Sequence, residues 1–287
     1  MPARRNAAGS AGGGARAGTI VFSHANGFPA HTYRLLFEAW RAAGWRVEAI
    51  DALGHDADHP VTSNWPHVRE QLVAFAAGLE AGPVHYVGHS LGGFLSLMAA
   101  CARPALAAGV VLLDSPLIGG WRAHSLHVMK LTGVISRVSP GRVSRRRRYQ
   151  WGSAAEARAH LSGKPAFASW DPRVLGDYVA GMRPAAGGGV QLAFDREVET
   201  RIYDSLPHNM GAMLRRHPPH CPVAFIGGTR SREVSQVGLA LTRAVTRGDI
   251  HWIEGGHLFP MEQPAATAQA VLERLQAMVP SHDAPAR

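Results

Sequence analysis

Residues 84–93 read VHYVGHSLGG, and within them Gly88, Ser90 and Gly92 form the pattern G-x-S-x-G. In a chain with 32 glycines the pattern alone is weak, and its flanks make it strong. The apolar run before it reads as a strand and LGGFLSLMAACA after it as a helix, so the serine falls on a tight strand-to-helix turn. Glycines two positions to either side leave room where such a turn presses backbone against backbone. The chemistry this suits is nucleophilic: a hydroxyl raised above the C-terminal edge of a sheet, beside a helix N-terminus that stabilises negative charge. The alternative is a glycine-rich helix entry in which Ser90 only caps the helix.

The elements that must hold such a turn are legible along the chain. Short apolar runs at 19–22, 46–50, 84–87, 109–113, 223–226 and 250–253 read as strands, several nearly continuous, as strands buried on both faces are. Helical patterns at 33–43, 67–79, 91–102, 234–245 and 265–278 follow most of them. The alternation predicts an α/β fold, a mostly parallel central sheet with helices on both faces. The interval 115–220 breaks it, with helical segments, a glycine-rich loop at 185–189 and many aromatics but no core strand. It is too long for a crossover and too apolar for a linker, and it is expected to be a helical cap insertion. The organisation read from this is a disordered tail over 1–17, a core over 18–115 and 220–280, the cap over 116–219, and a C-terminal tail over 281–287.

The formal charge of +9 suits an anionic partner, and its one dense run is Arg145, Arg146, Arg147 and Arg148. That run is either a solvated face or an attractor for an acyl-phosphoanhydride such as a coenzyme A ester, an acidic headgroup or a protein. Nucleic acid is not expected, because no aromatics alternate with the basic residues. No apolar stretch reaches membrane-spanning length, and the first residues lack the apolar centre of a secretory signal, so the expectation is a cytoplasmic protein without a transmembrane segment. Cys101 and Cys221 read as two reduced thiols and offer no metal site. No signature sets the number of subunits.

With the serine turn in this setting the sequence resembles the α/β-hydrolase superfamily, in its cap-bearing bacterial branch of esterases, lipases and carbon–carbon bond hydrolases. The resemblance covers nearly everything after residue 18. It implies that Ser90 attacks a carbonyl to give an acyl-enzyme. It also implies that His257, in IHWIEGGHLFPMEQP after the last strand, is the general base; His251, within the strand, is read as structural. In VFSHANGFPAHTY the superfamily's usual His-Gly is His24-Ala25, which makes the Asn26 and Leu91 N–H groups the implied oxyanion donors, within a register of a residue or two. Candidate substrate contacts are Phe28, His89, Leu258 and Trp121. Apolar residues of the insertion, Trp151, Phe167, Trp170 and Tyr178 among them, could line a pocket or form the insertion's own core.

The acid is the open point. Much of the superfamily has an Asp a few residues after the penultimate strand, where PVAFIGGTRSREV places Ser231. Asp114, ending the preceding strand in GVVLLDSP, is the favoured alternative, and Glu233, in the usual loop but late, is the other. The function these residues predict is a cofactor-independent serine hydrolase acting on a small-molecule carboxylic ester or thioester, with no metal. An acyltransferase, a carbon–carbon bond hydrolase or a non-catalytic binding protein would share the visible motifs. Epoxide and haloalkane opening are disfavoured, since the resembled enzymes use Asp at the serine's place.

Overall fold

The structure, a computed structural model, describes residues 17–139 and 141–279. The tail expected over 281–287, and all but Ala17 of that over 1–17, lie outside the described residues.

Strands β1 (Thr19–Ser23), β2 (Arg46–Ala49), β3 (Val84–His89), β4 (Ala107–Leu113), β8 (Val223–Gly228) and β9 (Ile250–Ile253) form one sheet in the order β2-β1-β3-β4-β8-β9. Every pairing in it is parallel. Side chains alternate across a strand, so a sheet covered on both sides must be apolar at every position. Ile20, Phe22, Val87, Val111, Leu113, Ala224 and Ile226 enter one core, with Leu36 and Trp40 of helix α1 (Arg34–Ala42) and Val271 and Leu275 of the last helix, Pro264–Met278. Val21, Tyr86, Val110, Leu112, Val223 and Phe225 enter the other, with Val68 and Leu72 of α2 (Pro66–Gly78) and Leu95 and Met98 of α3 (Leu91–Ala102). Each fully buried Leu, Ile, Val or Phe contributes about 1.5–3 kcal/mol relative to exposure.

The path through the sheet runs from β1 outward to β2, then returns past β1 to β3 and continues the other way. The crevice between the C-terminal ends of β1 and β3 is therefore the point where strand order reverses, the place where open α/β sheets bind ligands. Ser90 and the loop containing Asn26 both leave the sheet there.

Two local expectations are corrected. The helix expected over 234–245 is two helices, Arg232–Val237 and Ala240–Thr246, because Gly238 adopts φ 73° between them. The interval between β4 and β8 is not purely helical. Besides helices that include Gly120–Leu131, Gly141–Arg146, Ala154–Ser162, Pro172–Ala180 and Arg196–Asp204, it holds a small antiparallel sheet of β5 (Gln150–Trp151), β6 (Arg183–Pro184) and β7 (Val190–Gln191). The glycine-rich loop is the hairpin turn between β6 and β7, closed by Ala185 N–H to Gly189 O at 3.2 Å, with Gly188 and Gly189 at φ 90° and 76°. Trp170, Val174 and Tyr178 of this interval join the sheet-face core beside Phe28. No helix among the described residues is long and apolar enough to cross a membrane.

Candidate active site

Ser90 stands between β3 and α3 with φ 54° and ψ −116°, a conformation that costs a non-glycine residue about 1–3 kcal/mol and is held only by its surroundings. Its N–H donates to Leu113 O at 2.9 Å, and the Ser115 hydroxyl lies 2.9 Å from the carbonyls of both Ser90 and Leu113. The flanking glycines have no room for a side chain. A Cβ on Gly88 would strike the Gly92 backbone, and one on Gly92 the Ser23 carbonyl.

His257, in the loop after β9, brings Nε2 to 3.0 Å from Ser90 Oγ and Nδ1 to 2.7 Å from Asp114 Oδ2. A carboxylate only accepts, so the ring proton sits on Nδ1 and Nε2 is left to accept from the serine hydroxyl. Asp114, fully buried at φ 43°, also accepts from Gly228 N–H at 2.8 Å and from the Ser231 hydroxyl at 2.5 Å. Ser231, in the loop where the resembled superfamily carries its acid, is thus a donor to Asp114 at the end of the neighbouring strand. It also accepts from Val234 N–H at 3.2 Å, capping the helix that follows. Glu233 lies farther out, with Oε2 3.7 Å from His257 Nδ1, too long for a hydrogen bond but close enough to act through its charge.

Burial lowers the pKa of His257, but the hydrogen bond to Asp114 and the charges of Glu233 and Asp114 outweigh it and hold the ring above its ordinary value. Asp114, Glu233 and His257 bring potential metal-ligand atoms within 4.8 Å of one another. Both Asp114 oxygens and His257 Nδ1 are already engaged in hydrogen bonds, which accounts for the cluster.

His89 does not face a substrate, contrary to expectation. It is completely buried; Nδ1 is 2.8 Å from the Tyr33 hydroxyl and Nε2 2.9 Å from the His257 carbonyl. The carbonyl can only accept, so Nε2 carries the proton and Nδ1 accepts from Tyr33, whose oxygen in turn accepts from Ala25 N–H at 3.2 Å. Burial pushes His89 down to about 3, which keeps it neutral. The chain Ala25–Tyr33–His89–His257 ties the loop after β1 to the loop carrying the histidine. Tyr33→Phe strands the Ala25 N–H and His89 Nδ1 together, and is expected to cost about 1–3 kcal/mol, read as a lower urea midpoint at unchanged slope.

His24 also fixes that loop: its Nε2 accepts from Leu53 N–H at 2.8 Å, its Nδ1 lies 2.9 Å from the Ala25 carbonyl, and burial lowers it to about 4. The Asn26 side chain donates to Glu199 O at 3.0 Å. Among the described residues the Asn26 N–H finds no acceptor, and Leu91, the first residue of α3, has none within its helix.

A cavity of about 920 Å³ reaches this cluster. Asn26, Phe28, His257 and Leu258 line it, as do Trp151, Phe167 and Tyr178 from the interval between β4 and β8. Trp121 does not; it is 69% exposed and faces a separate cleft with Leu117 and Leu241. Sequence reasoning missed Glu199, which lines the cavity with Arg147 and pairs with it at 2.5 Å across a separation of 52 residues that no local pattern marks. Burial pushes the Glu199 carboxyl up to about 7, with Arg147 opposing it.

The family model described as "Alpha/beta hydrolase family" matches residues 20–270. A search of the curated proteins gives no match. Solved structures of similar fold include an E-2-(acetamidomethylene)succinate hydrolase, 20% identical with a TM-score of 0.68 over 90% of this chain and 91% of that one. The thioesterase domain from the curacin biosynthetic pathway is 20% identical, with a TM-score of 0.69 over 89% and 91%. An epoxide hydrolase from Vigna radiata is 16% identical, with a TM-score of 0.65 over 91% of each chain. Such identities speak for the fold, while the family match runs from β1 into the last helix. The chain belongs to the alpha/beta hydrolase family.

Proposed function

We propose that the protein is a serine hydrolase that cleaves a carboxylic ester, or a thioester, through an acyl-enzyme on Ser90. The observation that carries the reading is the hydrogen-bonded line from Ser90 through His257 to Asp114, whose middle member, His257, lines a cavity. In the first half-reaction Ser90 Oγ attacks the substrate carbonyl carbon as His257 Nε2 takes its proton. The oxyanion so formed is met by the N–H groups of Asn26 and Leu91, and each well-aimed donor of this kind contributes about 3–4 kcal/mol to lowering the barrier. The C–O or C–S bond breaks, and the leaving alcohol or thiol receives the proton from His257. A water, deprotonated by the same nitrogen, then attacks the acyl carbon and releases the carboxylic acid and Ser90. Asp114 holds the tautomer and balances the imidazolium. Residues 116–219 act as a cap over the nucleophile, with Phe28 and Leu258 in contact with substrate.

A fluorophosphonate probe tests this directly: one adduct on Ser90 is expected by mass spectrometry, and no adduct sinks the reading. A 4-nitrophenyl ester series of increasing acyl length then locates the acyl preference.

The electrostatics predict a pH profile. His257 acts as a base only when neutral, and its pKa lies above 6.5, so kcat/KM is expected to rise with pH along a limb centred above that value. Glu233→Gln removes a charge that favours the protonated ring, and so moves the limb to lower pH. A limb that stays in place in this variant contradicts the assignment.

A further inference from the structure

The cavity is lined by both apolar and cationic side chains. Arg146 at the end of helix Gly141–Arg146, Lys164 beyond helix Ala154–Ser162, and Arg232 at the start of helix Arg232–Val237 all line it. Their surroundings separate them from the two arginines that follow Arg146. Arg147 is committed to Glu199 and Arg148 to Glu156, each at 2.5 Å. Among the described residues, the side chains of Arg146, Lys164 and Arg232 make neither an ion pair nor a hydrogen bond.

The carboxylates that line the same cavity do not serve them. Glu199 is spent on Arg147, and Glu233 stands beside His257. Three elements distant in sequence thus bring uncompensated positive charge to one concave surface that also contains Phe28, Phe167 and Leu258. All three side chains are exposed; like charges gathered on one concave surface repel one another and focus a field into it, and an anion placed there relieves the repulsion.

We propose that the substrate carries an anionic group, a carboxylate or a phosphate, that Arg146, Lys164 and Arg232 hold while the apolar wall takes the remainder of the molecule. This rests on the serine-hydrolase reading and adds the substrate class to it. The covalent steps are unchanged; the anion is bound and takes no part in them.

Two matched pairs of substrates test the proposal and separate its two sources of charge. Mono-4-nitrophenyl glutarate against 4-nitrophenyl pentanoate reads a carboxylate. Butyryl-coenzyme A against S-butyryl-N-acetylcysteamine reads the phosphates with the thioester kept. At low ionic strength kcat/KM is expected to favour the charged member of at least one pair by roughly ten-fold or more. That preference should shrink as sodium chloride is added and fall toward unity in the R146Q/K164Q/R232Q variant. Ser90-dependent turnover with no charge preference in either pair overturns this proposal alone, as does a preference that survives the triple substitution. If none of the four compounds is turned over in a Ser90-dependent way, the hydrolase reading fails and this proposal with it.

Discussion

Ser90→Ala is expected to lower kcat on any ester the protein turns over by about 10⁶-fold while leaving the fold intact. In the proposed mechanism the hydroxyl is the attacking atom, and its neighbour Ser115 is turned toward the carbonyls of Ser90 and Leu113. The side chain makes a single hydrogen bond, to His257 Nε2, and the strained backbone at φ 54° is the same for alanine as for serine, so stability should change little. What remains is the part of catalysis that needs no nucleophile, oxyanion stabilisation and binding, which in serine enzymes sustains about 10³–10⁴ over water. Thermal unfolding and probe labelling complete the test. The variant should melt with the native protein and take up no fluorophosphonate, and a variant that keeps activity within a hundred-fold of native sinks the mechanism.

The sheet was legible because its chemistry is local. Strands β1, β3 and β8 are buried at every residue, and a short, largely apolar run has few other uses in an α/β chain. The serine turn was legible because glycine is forced on Gly88 and Gly92 by contacts within a few residues, or with the adjacent strand. What escaped depends on partners far along the chain. Ser231 reads as a gap in the loop after β8 until β4 delivers Asp114 to its hydroxyl from 117 positions away.

His89 was misread because adjacency to Ser90 in sequence is not adjacency in space. Its side chain lies on the same face as Val87, two residues earlier, and that face is covered by Tyr33. Strand parity was the available signal. Trp121 was misread for the opposite reason: an aromatic in an insertion suggests a pocket, but the helix Gly120–Leu131 turns it outward. Arg147 and Arg148 differ from Arg146 only through Glu199 and Glu156, and a run of four arginines cannot announce which members will find a counter-ion.

Asp114→Asn should cost about 10⁴-fold in kcat, the loss that a wrong histidine tautomer brings to a serine triad, whereas Glu233→Gln should cost no more than about ten-fold at the pH optimum. Asp114 accepts from three donors, and an amide has only one oxygen to offer them. If the amide nitrogen takes the Oδ1 place it meets the Gly228 N–H, a backbone donor that cannot reverse. If it takes the Oδ2 place it meets Ser231 and His257, and both can adapt: the hydroxyl rotates to accept, and the imidazole moves its proton from Nδ1 to Nε2. The second arrangement costs less, so the protein stays folded but presents an N–H to Ser90 Oγ where it needs a lone pair. Glu233 cannot step in, because at 3.7 Å from Nδ1 it influences the ring by charge without fixing its proton. The comparison needs both variants in one assay across pH. Near-native turnover in Asp114→Asn, with a loss of several orders of magnitude in Glu233→Gln, would transfer the role of the acid to Glu233.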